Sequence, residues 1–305
     1  KENYIMLKPN INNVCGKSYN LLNAKLTCDC NGSCEFCIAS GTYKAQKTSL
    51  EKMIKTTISL DKFQDVDVLG GEPTLYKDLY AYLEAIRPKK SGMISIITNG
   101  SNIDVLMDVE KFLDRIIISI HHYDLNKNEK IVGVKVNEEK LKLLNKIKKN
   151  TETVLACVMC KENLSTMEDI KLLAKKAKEW GFDAIKLMEV VTMNEEYQGF
   201  VDLQDLLISY GIHQKNATLR GCLFELEKLG KCLGIKTYIK LCCPFNNIFK
   251  AKDFGVPINT IEYQHDYINV IHPDGVVTDS WVYESYENKI LNGKDVYINY
   301  EKKKL

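Results

Sequence analysis

The chain has no long apolar run. The longest, Ile116 to Ile120 and Val154 to Val158, are far too short to span a bilayer. No basic region followed by an apolar stretch opens the sequence either, so a cytoplasmic protein with no membrane partner is expected. Charge of one sign is also missing: Lys plus Arg is 42 against 40 for Asp plus Glu, a formal net charge of +2. Without a long-range basic field, no nucleic-acid partner is expected. Repeats and low-complexity linkers are absent, and the one charge run, Glu301 to Lys304, reads as a solvated tail. What is present is an ordinary globular composition, 45% hydrophobic and 27% charged, which argues against disorder. Eleven cysteines in a chain of 305 residues without an export signal point to thiols or metal ligands rather than a disulfide framework.

Short β-branched runs alternate with stretches at helical spacing, the pattern of βα units around a parallel sheet. Strands are predicted near Leu21–Leu26, Val66–Leu69, Met93–Ile97, Ile116–Ile120, Val154–Met159 and Ile185–Val190. Helices are predicted over Leu50–Ile58, Leu75–Ile86, Val105–Phe112, Glu138–Lys149 and Thr166–Trp180. Six such units make an α/β fold, a partial (β/α)6 barrel or an open doubly wound sheet, with ligands at the C-terminal ends of the strands in both cases. After about residue 195 the rhythm changes. Helices over Leu203–Ser209 and Ala217–Leu229 are followed by a hairpin, Tyr267–Ile271 and Val276–Val282. The division expected is a barrel core over 1–195 and an α+β extension over 196–305 that caps the barrel and contributes to the substrate site.

Cys30, Cys34 and Cys37 put three thiols within eight residues of the loop after the first strand. Cysteine thiolates are the usual ligands of iron–sulfur clusters, and Gly32 lets the loop wrap tightly. Three ligands for four irons leave one iron open to bind and reduce a molecule. The competing reading is a structural zinc site completed by Cys28 or a distant residue, although no convincing second CxxC knuckle follows. Cys157 and Cys160 fall on different faces of a strand end and read as buried apolar residues, as do Cys222, Cys232, Cys242 and Cys243.

Gly70-Gly71-Glu72-Pro73 directly follows the second strand. Two glycines free the backbone for close approach, Glu72 adds a carboxylate, and Pro73 suits a first helical position. The CX3CX2C loop followed by this sequence resembles the radical S-adenosylmethionine (radical SAM) superfamily, over roughly Lys17 to Met193. The resemblance implies a radical SAM barrel of TIM-like type with one [4Fe-4S] cluster on Cys30, Cys34 and Cys37. It further implies S-adenosylmethionine held at Phe36, Gly70, Gly71, Glu72, Pro73, Thr98, Asn99, Ser119, His121, Asn163, Leu187 and Met188. The activity implied is reductive cleavage of S-adenosylmethionine to a 5′-deoxyadenosyl radical that abstracts hydrogen from a substrate. Flavodoxin or ferredoxin is the implied low-potential electron donor.

Many family members that modify peptides carry an auxiliary-cluster hairpin. In this sequence Ser280 stands where such a hairpin leads to its cysteine, so no auxiliary cluster of that kind is expected. A small-molecule substrate is therefore favoured over modification of a ribosomally made peptide. Asn23, Glu189, His272, Asp274 and Trp281 are the expected substrate-binding residues, where carboxylates and aromatics suit a planar heterocycle. The specific expectation is a lyase acting on a 7-deazapurine base in queuine salvage.

Overall fold

A computed structural model describes residues 21–37, 46–147, 150–190, 199, 201–212, 218–220, 223–240 and 269–278. In chain order the elements are β1 (Leu21–Lys25), α1 (Leu50–Ser59), β2 (Asp65–Leu69), α2 (Leu79–Ile86), β3 (Ile94–Thr98), α3 (Ile103–Val109), β4 (Arg115–Ser119) and α4 (Leu125–Val132). They continue with α5 (Glu138–Leu141), β5 (Glu152–Met159), α6 (Met167–Trp180), β6 (Ala184–Glu189), α7 (Leu203–Ser209), β7 (Thr218–Arg220), β8 (Leu223–Glu225), α8 (Glu227–Leu233), β9 (Lys236–Lys240), β10 (Asn269–Ile271) and β11 (Val277–Thr278).

The strand order is β11-β10-β1-β2-β3-β4-β5-β6-β9-β8-β7, and β1 through β6 are parallel in consecutive order. Consecutive order without a reversal is the winding of a barrel, not of a doubly wound sheet, but among the described residues the sheet does not close. Alternation along each strand sorts its side chains. Leu22, Ala24, Val66, Val68, Ile94, Ile96, Ile116, Ile118, Leu155, Cys157, Ile185 and Leu187 pack with the helices in one continuous core. The intervening residues face the concave side. There Ile117, Val154, Ala156, Ala184 and Tyr238 form a separate apolar plug, joined by Glu152, which accepts hydrogen bonds from Arg115, Lys236 and Tyr238.

Described parts of the segment after residue 195 extend the same sheet at both edges. Parallel β9 pairs with β6, and β10 pairs in parallel with β1, Asn23 opposite Val270. Two expectations are corrected here. Ala217–Leu229 was expected as a helix, yet β7 and β8 form an antiparallel pair and α8 begins only at Glu227. The open edge of β9, with Ile239 opposite Phe224, overrides the local helical spacing. Cys232 was expected to be buried and is exposed, because Leu229 and Leu233 take the buried face of α8. Cys222, Cys242, Cys243, Ser280 and Trp281 lie outside the described residues.

One helix has no counterpart in the predicted elements. In α4, Asp124 caps the N-terminus by accepting from Asn126 N–H at 2.9 Å, and Gly133 ends it at φ +73°. Both signals are in the sequence, but the polar run between them lacks an apolar stripe. Among the described residues no helix is long and apolar enough to cross a membrane.

Candidate functional site

The cysteine loop leaves the C-terminal end of β1 and is locked to the turn after β2 by backbone. Gly71 N–H donates to Thr27 O and Glu72 N–H to Asp29 O, each at 2.7 Å. A Cβ on Gly71 would lie 2.2 Å from Asp29 O, and one on Gly70 2.7 Å from Thr27 O. The glycines therefore serve close approach to the cysteine loop itself, where the sequence suggested approach to a ligand.

Glu72 is almost fully buried, and its carboxylate joins the ends of two strands. Oε1 accepts from Thr74 N–H at 3.0 Å, Thr74 Oγ1 at 2.6 Å and Thr98 Oγ1 at 2.7 Å, while Oε2 accepts Asn99 N–H at 2.7 Å. Pro73 opens a short 3₁₀ turn, Pro73–Leu75, as a first-turn proline should. From β3, Asn99 Nδ2 donates to Asn31 Oδ1 at 2.8 Å, and Asn31 Nδ2 reaches Ser101 Oγ at 3.1 Å. From α4, Val132 O accepts Ser33 N–H at 2.8 Å. Three neighbouring elements thus hold the loop. Glu72→Gln is expected to lower stability by about 2 kcal/mol, because the new amide places a donor against the Asn99 N–H. Denaturant unfolding measures it, and an unchanged midpoint would show that this carboxylate does not join the strands.

Within the loop, Gly32 N–H donates to Cys30 Sγ at 3.3 Å and Cys37 N–H to Cys34 O at 3.2 Å. Burial first, then Cys37 and Cys30, pushes the Cys34 thiol up to about 12. Burial also raises Cys30, with Glu72 and Cys37 adding to the rise and the Gly32 N–H opposing it. Thiols so close that Cys37 opposes ionisation of both Cys30 and Cys34 are a donor set completed by positive charge, so the three fit an iron–sulfur group. Among the described residues no three His, Cys, Asp or Glu side chains converge on a single ion.

Phe36 lies under the loop in a small apolar cluster with Cys160 and Val190. It meets the His121 ring edge-on, centroids 4.9 Å apart. His121 Nδ1 accepts Val158 N–H at 3.0 Å, which leaves any ring proton on Nε2, and burial lowers the imidazole to about 4. Asn163 closes the turn after β5, with Oδ1 accepting Cys160 N–H at 2.8 Å and Nδ2 donating to Val158 O at 2.6 Å. Ser119 and Met188 lie half-buried on the concave side. The Leu187 side chain does not join them, because alternation turns it into the helix-side core.

The expected substrate residues divide. Asn23 is buried on the concave face. Glu189 turns toward α7, where Oε1 accepts Leu203 N–H at 3.2 Å. His272 Nε2 pairs with Thr278 Oγ1 at 2.8 Å, and Asp274 Oδ1 accepts Val276 N–H at 3.0 Å, so both hold their own hairpin. Parallel pairing with β1 brings that hairpin turn to the mouth, where Lys52 Nζ donates to Asp274 O at 2.9 Å.

Sequence reasoning missed the charged residues of the concave face. Burial raises the Asp67 carboxyl, and Lys186, a Ser95 hydrogen bond, Arg115 and Lys240 oppose the rise. Strands β2 and β6 are separated by three others, so an electrostatic link between Asp67 and Lys186 requires the sheet to curl. Asp67, Lys186, Met188 and Lys240 remain partly open to solvent, as the lining of a hollow would. The signal was there: polar residues alternate within strands that a parallel sheet buried on both faces would fill with apolar ones.

The family model of the radical SAM superfamily matches residues 25–174. The chain carries a radical SAM domain. The superfamily uses a [4Fe-4S] cluster and S-adenosylmethionine. The radical SAM domain takes in the cysteine loop, Gly70 to Pro73, and the strand ends through β5. Probable GTP 3′,8-cyclase of Thermoplasma volcanium is 32% identical over 41% of this chain and 40% of its own length. That of Metallosphaera sedula is 30% identical over 57% of each. The chain thus spans about two fifths to three fifths of the curated relatives it matches. In fold it is similar to Streptococcus suis SuiB bound to precursor peptide SuiA, TM-score 0.64 and 18% identity, over 85% of this chain and 59% of that one. Native anSMEcpe with bound AdoMet and Cp18Cys peptide gives 0.55 and 15%, over 86% and 74%. At these identities the likeness establishes the fold alone.

Away from the radical SAM motifs, a surface hollow of about 370 Å³ is lined by Glu225, Lys231, Gly234 and Lys236. It adjoins the start of β9, at the end of the strands opposite the cysteine loop.

Proposed function

We propose that this chain is a radical SAM enzyme acting on a small molecule, with Cys30, Cys34 and Cys37 holding its cluster. The observation that carries the reading is the backbone lock between the cysteine loop and Gly71-Glu72, built where no Cβ fits. When bound, cluster and S-adenosylmethionine supply a reductively generated carbon radical that takes a hydrogen atom from the substrate. The chain's own residues do the rest. Phe36 offers an apolar surface beside the loop, Thr98 and Asn99 hold Glu72 in place, and neutral His121 holds the end of β5.

For the substrate, the curated relatives are named for GTP, a purine nucleotide, which supports a purine-like small molecule. The finer reading, a lyase acting on a 7-deazapurine base in queuine salvage, rests on chain size, on Ser280 where an auxiliary-cluster cysteine would stand and on the character of the extension. His272 and Asp274, expected to bind the substrate, also hold their own hairpin. The second reading is modification of a peptide, favoured by a fold match to SuiB that extends over 85% of the chain. Either reaction needs a low-potential donor such as flavodoxin or ferredoxin. Anaerobically reconstituted protein given dithionite and S-adenosylmethionine is expected to form 5′-deoxyadenosine. Neither product nor iron–sulfur absorbance would end the proposal. Deuterium transfer into 5′-deoxyadenosine from a labelled nucleotide, and not from a labelled peptide, separates the two substrate readings.

A further inference from the structure

We propose that the concave face of the sheet recognises a substrate bearing an anionic group, carboxylate or phosphate, and that Lys25 is its principal contact. The role as a substrate site rests on the radical SAM reading of the loop above it. Lys25 ends β1. Leu22, Ala24 and Leu26 belong to the helix-side core, so alternation turns Asn23 and Lys25 to the concave face. Lys25 is only 3% exposed, and among the described residues no hydrogen-bond or ion-pair partner meets its ammonium. Its Nζ is not among the described polar atoms sealed from solvent without a partner, so the stem is buried while the ammonium reaches the open concave side.

The described acidic groups of this region are engaged elsewhere. Asp67, opposite Asn23 in register, interacts with Ser95, Lys186, Arg115 and Lys240. Glu152 serves Arg115 and Lys236, Glu72 serves Thr74, Thr98 and Asn99, and Glu189 faces α7. Among the described residues the face therefore brings Lys25, Lys186 and Lys240 together beside Asp67. Partial solvent access at Asp67, Lys186, Met188 and Lys240 supplies room for a ligand. An anion entering the hollow would give Lys25 the partner that the described fold withholds. Lysine suits this task as a point charge on a flexible stem.

The test is thermal melting with two probes, pyrophosphate and citrate, each at millimolar concentration and with S-adenosylmethionine present on reconstituted protein. One probe or the other is expected to raise the wild-type midpoint by about 3 °C or more through mass action, and which one does so tells phosphate from carboxylate. Lys25→Met should lose that response, and Lys55→Met, an exposed control, should keep it. The cofactor-free Lys25→Met protein should melt no lower than wild type, because no described hydrogen bond or ion pair is lost and an apolar chain of similar length takes the place of the stem. A clear drop would mark Lys25 as structural and overturn the proposal. So would a wild-type protein indifferent to both probes, a response that survives Lys25→Met, or a response that S-adenosylmethionine itself abolishes. If the anion response follows Lys25 while no 5′-deoxyadenosine forms, the radical reading fails and the anion site stands.

Discussion

Gly71→Ala is expected to strip the reconstituted protein of its iron as completely as Cys34→Ala does, although it removes no ligand. The added methyl carbon would lie 2.2 Å from Asp29 O, 2.5 Å from Asp29 C and 2.7 Å from Cys28 O. All three are backbone atoms, so no rotamer change relieves the overlap. Either the cysteine loop or the turn after β2 must move, and the paired bonds from Gly71 and Glu72 to Thr27 and Asp29 open. Overpacking of this kind costs about 1–3 kcal/mol, and loss of the two bonds adds to it. The expected result is a melting midpoint several degrees lower, with bound iron reduced roughly tenfold, since binding of the group is linked to the folded loop. Gly211→Ala is the control. Gly211 has φ +70°, but a methyl added there would meet nothing within 4 Å, so backbone strain acts alone, at about 1 kcal/mol. Iron retained by Gly71→Ala at wild-type levels would mean that the loop does not depend on its contact with the turn.

The second large effect is on pH dependence. Burial holds the His121 imidazole at about 4 in the folded chain, against an ordinary value of 6.5. Because the folded value is the lower one, the unfolded chain binds the proton more readily between those limits. Stability is then fully present above pH 6.5 and falls as pH drops toward 4, below which this residue contributes no further slope. A displacement of this size corresponds to about 3 kcal/mol. Protonation is opposed a second time by geometry, since Nδ1 already accepts the Val158 N–H and a proton there would set donor against donor. His122 is lowered in the same direction, burial being the first cause, so the wild-type curve contains both. Unfolding free energies of the cofactor-free protein, measured from pH 7 to 4, isolate the His121 share by comparison with His121→Gln. Parallel curves for the two proteins would refute the assignment.

How much of this was legible in the sequence differs from element to element. All six barrel strands were legible, because β-branched runs such as Arg115–Ser119 have no stable alternative to burial between helices. The cysteine loop and the Gly-Gly-Glu turn were legible as motifs, but their contact was not, since no local pattern says that Gly71 meets Asp29. The helix expected over Ala217–Leu229 failed because an unpaired strand edge, which only the assembled sheet presents, recruited residues of helical spacing. Leu187 and Met188 show the reverse. Alternation already assigned them to opposite faces, and applying it would have kept Met188 alone at the site. Lys25, Asp67 and Lys186 escaped notice because each looks like a surface residue until the curl of the sheet brings β2 toward β6.

The pairing of β1 also sets an order of assembly. On one side Leu22 meets Val66, and on the other it meets Asn269. Every described bond that holds the cysteine loop to its surroundings comes from residues 27–133. At ribosomal rates of roughly 5–20 residues per second, the outer partner of β1 emerges some seconds to tens of seconds after that seat can form. Through this interval β1 is an edge strand, its Leu22 to Ala24 backbone open on the side where β10 later pairs. The seat of the cysteine loop can thus be built while the strand that carries it still waits for its outer partner.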